Sequence, residues 1–291
     1  MIEFSMEEIE ELESEYPGDS AFDLDMRLSP HLNPVEELGL GPAFKSPQRE
    51  AANIILTHLA FVGWSDPHRW TFFSRDRNVY SQNKRYRSPA LSCTHVIIVI
   101  DVLKGIGLIE EERAAPRPDG KYRSRMRLLD GVDDMIPVSS IVALRFIPAE
   151  LVKRKDDKKR LVNYKETSRT RRMRRELVEH NEAVSQSKLF LNSPDWHLDD
   201  RGLLRSMDRV LNPAKLSLYR NFNTSWRHGG RVYGGFWQRL PRVERTCLRI
   251  DDEETVEPDF EYLHPQMMAT MAGIDLQNED PYRIDGFSRK L

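Results

Sequence analysis

Residues 103–129 read Leu-Lys-Gly-Ile-Gly-Leu-Ile-Glu-Glu-Glu-Arg-Ala-Ala-Pro-Arg-Pro-Asp-Gly-Lys-Tyr-Arg-Ser-Arg-Met-Arg-Leu-Leu. Gly107 to Glu112 reads as a short strand, and Pro116 to Gly120 is a turn. From Lys121 to Leu129 the alternation is strict. Lys121, Arg123, Arg125 and Arg127 fall on one face, and Tyr122, Ser124, Met126 and Leu128 on the other. That pattern predicts a half-buried strand with a basic outer face.

Upstream, Val96, Ile97, Val99, Ile100 and Leu103 recur at helical spacing in a helix expected from Pro89 to Leu103 and closed by Gly105. Cys93 lies inside this pattern and reads as a buried thiol. Residues 63–80 are aromatic and basic. An earlier helix starts at Ser46, with Pro47 in its first position and Glu50 in its first turn, and carries Ile54, Ile55, Leu59 and Phe61. Helix, helix and a Pro-Gly-tipped hairpin make residues 46–130 one unit.

That order, with Leu103-Lys104-Gly105-Ile106-Gly107-Leu108-Ile109-Glu110, resembles the winged-helix DNA-binding domains. The resemblance implies a recognition helix in the major groove and a wing on phosphates. It assigns Lys84, Arg85, Arg87, Ser92, Thr94 and His95 to the helix entrance, and Arg117, Lys121, Arg123 and Arg125 to the wing. The alternative is a unit of the same shape used only for protein contacts.

Charge is unevenly spread. Residues 1–25 hold ten acids and no Lys or Arg, so the net −2 of the 291-residue chain is −10 in this arm and +8 in the remainder. A basic body with an acidic arm suits a polyanion partner; a solubilising tail is the plainer account of the arm. Residues 1–45 read as this flexible arm, with a short helix from Met6 to Glu15. Two cysteines, Cys93 and Cys247, give neither a disulfide framework nor a zinc site. No apolar run reaches the roughly 18 residues of a membrane span, and the acidic start is unlike a signal peptide. The cytoplasm is the expected compartment.

Residues 131–194 read as a connector. It holds a strand from Ile141 to Ile147, a charged hairpin at Asp156-Asp157-Lys158-Lys159 and a helix over 167–188 with Met173, Leu177, Asn181 and Val184 on one stripe. Arg169, Arg171, Arg172, Arg174 and Arg175 crowd its first two turns. Cations there oppose the helix dipole, which points to a partner anion such as a phosphate backbone. A solvated basic face is the alternative.

Residues 195–291 contain the block His228 to Gly273. It carries Gly230-Arg231, then Phe236-Trp237-Gln238-Arg239-Leu240-Pro241, then Arg242, Arg245 and Arg249, then Asp259-Phe260-Glu261-Tyr262-Leu263-His264. Order and rough spacing resemble the palm of the family A DNA polymerases, and more loosely of the single-subunit phage RNA polymerases. The resemblance implies that Asp259, at the end of a strand from Thr255 to Phe260, holds Mg2+. It places Arg231 near primer–template, sets His264 where those enzymes select the sugar, and makes Arg289 the start of a triphosphate-gripping helix. Met267, Met268 and Met271 read as core of the helix after Asp259. The second acid of that chemistry has no counterpart before Leu291, so the expected chain is a truncated polymerase, incomplete for nucleotidyl transfer.

The expected fold is α+β, an N-terminal winged helix-turn-helix followed by a C-terminal palm-like fragment. The expected function is a nucleic-acid-binding replication protein of phage or mobile-element type. Its partners would be DNA or RNA, and a nucleoside triphosphate if it is catalytic. The competing readings are a non-enzymatic replication initiator or transcriptional regulator, and a metal-dependent nuclease, which one acid serves poorly.

Overall fold

Helix α1, Ser46–Ser65, is the element around which the N-terminal half is built. Pro47 sits in its first turn, and the Gln48 side-chain oxygen accepts the Lys45 N–H at 2.9 Å. Its apolar residues go nearly all round, so the helix is buried on most of its circumference, from Ala51 and Ala52 through Ile54, Ile55, Leu56 and Leu59 to Trp64. Trp64 belongs to this core, so the helix runs further than the apolar spacing alone marks out.

The computed structural model describes residues 20–21, 33–81, 84–113, 124–136, 148–207, 209–257 and 262–275, and the fold is mixed α+β. After α1 come β2 (Thr71–Phe73), the short helix α2 (Arg77–Ser81), α3 (Cys93–Gly105), β3 (Ile109–Glu112) and β4 (Ser124–Leu128). A two-residue strand β1, Ser20–Ala21, pairs parallel to β2, and the sheet order is β1-β2-β4-β3, with β4 antiparallel to both neighbours. The Ser92 hydroxyl accepts the His95 N–H at 3.2 Å and caps α3. The helix ends at Gly105 as expected, but its left-handed residue comes two positions later. Gly107, at φ +75°, is the left-handed residue, and Leu108 N–H returns to Leu103 O at 2.9 Å while Gly107 N–H reaches Lys104 O at 3.1 Å. Val96, Val99, Ile100 and Leu103 of α3 meet α1 and the inner face of β4, where Met126 is fully buried.

A second core lies under the sheet β11-β10-β5, formed by β5 (Val152–Lys155), β10 (Tyr219–Asn223) and β11 (Gly229–Tyr233). β5 runs parallel to β10, and β10 is antiparallel to β11. Helix α4, Ser168–Gln186, covers one face with Met173 and Leu177, against Val152, Leu218 and Phe222. The residues expected as a connector therefore share a sheet with the start of the block expected to be palm-like. Tyr86, 1% exposed, enters the same core from the segment before α3; its hydroxyl donates to Val162 O at 2.8 Å and accepts the Arg154 N–H at 3.2 Å. Gly234 ends β11 at φ +124°, where a Cβ would lie 2.2 Å from Ser217 O, so only glycine fits.

A third, smaller core gathers Trp196, Leu204, Leu211, Phe236, Leu240 and Leu248. Around it lie the sheets β7 (His197–Leu198), β8 (Leu204–Arg205) and β9 (Val210–Leu211), and β6 (Leu189–Leu191), β12 (Leu248–Ile250) and β13 (Glu253–Glu254). The last described helix, α5, is Leu263–Met271 and has no buried residue. This corrects one expectation. Met267, Met268 and Met271 are 54%, 72% and 86% exposed, so they are not core among the described residues. Their spacing does place an apolar stripe on a helix, but a stripe does not supply an element to cover it. Residues 255–257 carry no strand, and the rest of the expected Thr255–Phe260 strand lies outside the described residues. So do the Ile141–Ile147 strand and the Met6–Glu15 helix.

Candidate nucleic-acid interface

The outer face of the N-terminal sheet is basic in sequence but largely neutralised in the fold. Arg127 donates through Nε and Nη2 to Glu110 at 3.0 and 2.8 Å, and Arg125 Nε to Glu112 at 2.5 Å. Both guanidinium groups lie over the Trp70 ring, at 4.7 and 4.6 Å from its centroid. The β3–β4 register explains this, because Glu110 faces Arg127 and Glu112 faces Arg125 across the ladder. The described part of the expected wing is thus a set of cross-strand pairs. Arg117, Lys121 and Arg123 lie outside the described residues.

A carboxylate on the buried face of β3 gathers cations. Glu111 has a fully buried side chain and accepts from Arg75 Nε at 2.8 Å, Lys104 Nζ at 3.2 Å and Arg113 Nε at 3.3 Å. Burial pushes its carboxyl upward, but hydrogen bonds from Arg75 and Lys104 outweigh that and hold it below the usual range. Arg75 also reaches Asp101 on the outer face of α3 at 2.6 Å. These contacts pin α3 to the hairpin.

The expected helix-entrance residues separate into two groups. Lys84 and Thr94 are exposed, Thr94 in the first turn of α3. The others are tied down. His95 Nδ1 lies 3.0 Å from Ala90 O, Arg87 Nη1 donates to Leu91 O at 2.9 Å, and the Ser92 hydroxyl is spent on its cap. Arg85 is structural. It donates to Glu166 at 2.6 Å, Glu150 at 3.2 Å and Tyr164 O at 3.0 Å, and stacks 4.1 Å over the Tyr164 ring.

Arg174 completes that network. Its Nε and Nη2 reach Glu150 at 2.9 and 3.0 Å, and Nη2 reaches Glu166 at 2.8 Å. Hydrogen bonding from Arg174, with Arg85 and Thr170, overcomes burial and holds the Glu166 carboxyl at about 2. Glu150 is 7% exposed, so a buried carboxylate is matched by two guanidinium groups. Sequence reading placed Arg174 among the phosphate-facing arginines, and Glu150 and Glu166 carried no pattern to single them out.

The other arginines of α4 point outward. Arg169, Arg171, Arg172 and Arg175 are all exposed. Arg169 donates to Trp226 O at 3.2 Å, while Arg172 and Arg175 approach Glu176 and Glu179 only at 3.6 and 3.8 Å. Such long, exposed pairs are worth little. The first turn is capped by the Thr167 hydroxyl, which accepts the Thr170 N–H at 3.2 Å. No acid stands in that turn to offset the cations.

In the block expected to be palm-like, Arg231 is exposed on β11, and His264 is exposed in the first turn of α5. Gln238 has a structural role: its side chain accepts Gly234 N–H at 2.9 Å and donates to Val232 O at 3.0 Å, closing the turn after β11. Asp259 and Arg289 lie outside the described residues, and the expectation of Mg2+ rests on Asp259. Among the described residues no cluster of three or more His, Cys, Asp or Glu is assembled to hold a metal. Cys93 is buried, as its helix position implies, and burial pushes its thiol up. No described helix is long and apolar enough to cross a membrane.

No protein-family model matches the chain, and no curated protein or solved structure matches it.

Proposed function

We propose that this chain is a nucleic-acid-binding protein whose N-terminal unit is a winged helix. The observation that carries the reading is the element order helix, strand, short helix, helix, hairpin, with the strand between the first two helices paired to the second strand of the hairpin, β2-β4-β3. A winged helix pairs its strands this way, and α3 then occupies the recognition position with Thr94 exposed in its first turn. Lys84 and Thr94 are the exposed groups at the entrance. Arg117, Lys121 and Arg123 belong to the wing on the same reading. The test is duplex binding by the intact protein and its Lys84→Glu/Thr94→Glu variant. Loss of about tenfold or more in affinity is expected, the size of one or two lost contacts. Unchanged affinity would remove the winged-helix reading.

A second reading keeps the polymerase resemblance of residues 228–273. It is favoured by the order in which the block is built: strand β11 with Arg231, a 3-10 turn over Phe236–Arg239, strand β12, then a helix carrying His264. On that reading the chain is a replication protein of phage or mobile-element type, and Asp259 would hold Mg2+ for an incoming nucleoside triphosphate. Primer extension by the intact chain, with and without Asp259→Ala, tests it.

A further inference from the structure

Twelve lysines and arginines stand against three acids between residues 151 and 175. Lys153 is buried and Arg174 belongs to the Glu150 network, while others meet at one end of the β11-β10-β5 sheet. The tip joining β10 to β11 lies between the end of β5 and the first turn of α4. Thr224 N–H reaches Lys155 O at 2.7 Å, Arg154 Nη2 reaches Thr224 O at 3.1 Å, and Arg169 Nη2 reaches Trp226 O at 3.2 Å. Beyond β5 the chain turns at Asp156, which accepts from Arg160, and Lys158 and Lys159 are left exposed. Arg171, Arg172 and Arg175 stand exposed on the next turns of α4, and Arg227 is exposed at the tip. Two neighbouring stretches, 154–160 and 169–175, and the distant 224–228 tip thus form one basic surface.

The local acids offset these cations only in part, since Glu176 and Glu179 reach Arg172 and Arg175 as exposed pairs at 3.6 and 3.8 Å and Asp157 is the one exposed acid of the turn. The arginines of the first turns of α4 also oppose its dipole. Glu166 is committed to Arg174 and Arg85 inside the network, and Asp156 to Arg160. We infer that this surface, made by α4, the 156–160 turn and the 224–228 tip, grips the phosphate backbone of nucleic acid without reading its sequence. The chemistry favours a backbone over a membrane. The apolar stripe of α4, Met173 and Leu177, is turned into the core, so the helix has no apolar face to lay into lipid. It favours charge over base stacking, because the aromatic at the tip is occupied. Trp226 packs edge-on against Tyr164 and Phe222, each at 5.0 Å. The inference deepens the proposed function, but it stands on different residues and survives if the winged-helix reading fails.

The test uses the intact protein, two duplexes of unrelated sequence and a salt series. Arg171→Gln/Arg172→Gln/Arg175→Gln is compared with Lys158→Gln/Lys159→Gln, which leaves α4 untouched, and with the Lys84→Glu/Thr94→Glu protein. The α4 variant is expected to weaken both duplexes equally and to flatten the slope of log K against log salt by about 2 to 3, near 0.9 per phosphate contact. The turn variant should do the same by about 1 to 2. Arg→Lys at the three α4 positions should restore binding, which a merely structural role would not require. Unchanged affinity and slope in both variants, with helical content intact, overturns the inference. So does a loss confined to one duplex sequence, or binding of vesicles containing phosphatidylserine in place of either duplex. Loss in the Lys84→Glu/Thr94→Glu protein alone would leave the winged-helix reading standing and refute this one.

Discussion

Replacing Arg174 with Met should destabilise the second core more than any exposed substitution on the same helix. Arg174 donates to Glu150 at 2.9 and 3.0 Å, and Glu150 is 7% exposed. Removing one partner of a buried pair leaves a charge without compensation and costs about 3–5 kcal/mol. Here Arg85 still reaches Glu150 at 3.2 Å, and the Val152 N–H donates to it at 3.0 Å, so part of the carboxylate stays satisfied. The expected loss is therefore about 2–3 kcal/mol. Urea unfolding followed by tryptophan fluorescence measures it, since Trp226 packs on Tyr164, a member of the same core. Adding Glu150→Gln should recover more than half of the loss, because it removes the unpaired charge. A loss below about 0.5 kcal/mol, the range of an ordinary surface change, would refute this account. A double variant no more stable than Arg174→Met would refute it as well.

Other outcomes follow from the same geometry. Glu166 sits at about 2 rather than near 4.5, so its contribution is fully present above pH 4.5 and is lost as pH falls toward 2; Glu166→Gln should remove that part of the acid sensitivity in pH-dependent unfolding. Gly234→Ala should cost at least about 2 kcal/mol in the same urea assay, because strain at positive φ is joined by a clash with Ser217 O; a neutral result would contradict the turn geometry. Met267→Gln/Met268→Gln/Met271→Gln should leave the unfolding free energy within about 0.5 kcal/mol of wild type, since all three side chains are exposed. Primer extension with magnesium or manganese should be weak or absent, because the chain offers one matching acid, Asp259, where two-metal transfer needs more. Robust extension abolished by Asp259→Ala would show a second acid at work.

The sequence carried the N-terminal unit well because its signals are local. Pro47 and the alternation through Ser124, Met126 and Leu128 each act within a few residues, and each appears where it was read, whereas the helix expected from Pro89 starts at Cys93, capped by Ser92. Cross-strand chemistry was not legible in the same way. Arg125 and Arg127 read as a free basic face, and only the β3–β4 register sets Glu112 and Glu110 opposite them. Arg85 and Arg174 are the same lesson at longer range, since their partners lie 65 and 24 residues away at Glu150. The methionines of α5 failed for another reason: helical spacing marks a stripe, and burial needs a surface to meet it. The joining of β5 to β10 and β11 had no local signal, because a parallel pairing of Val152 with Arg220, 68 residues on, leaves no turn to read.

The most direct test of the central claim is an anisotropy titration of a labelled duplex with the intact protein over a series of salt concentrations. The account predicts binding at about 50 mM salt that weakens steeply as salt rises, with a log–log slope steeper than about −3, since several phosphates are contacted at once. No binding at low salt, or an affinity indifferent to salt, would contradict it.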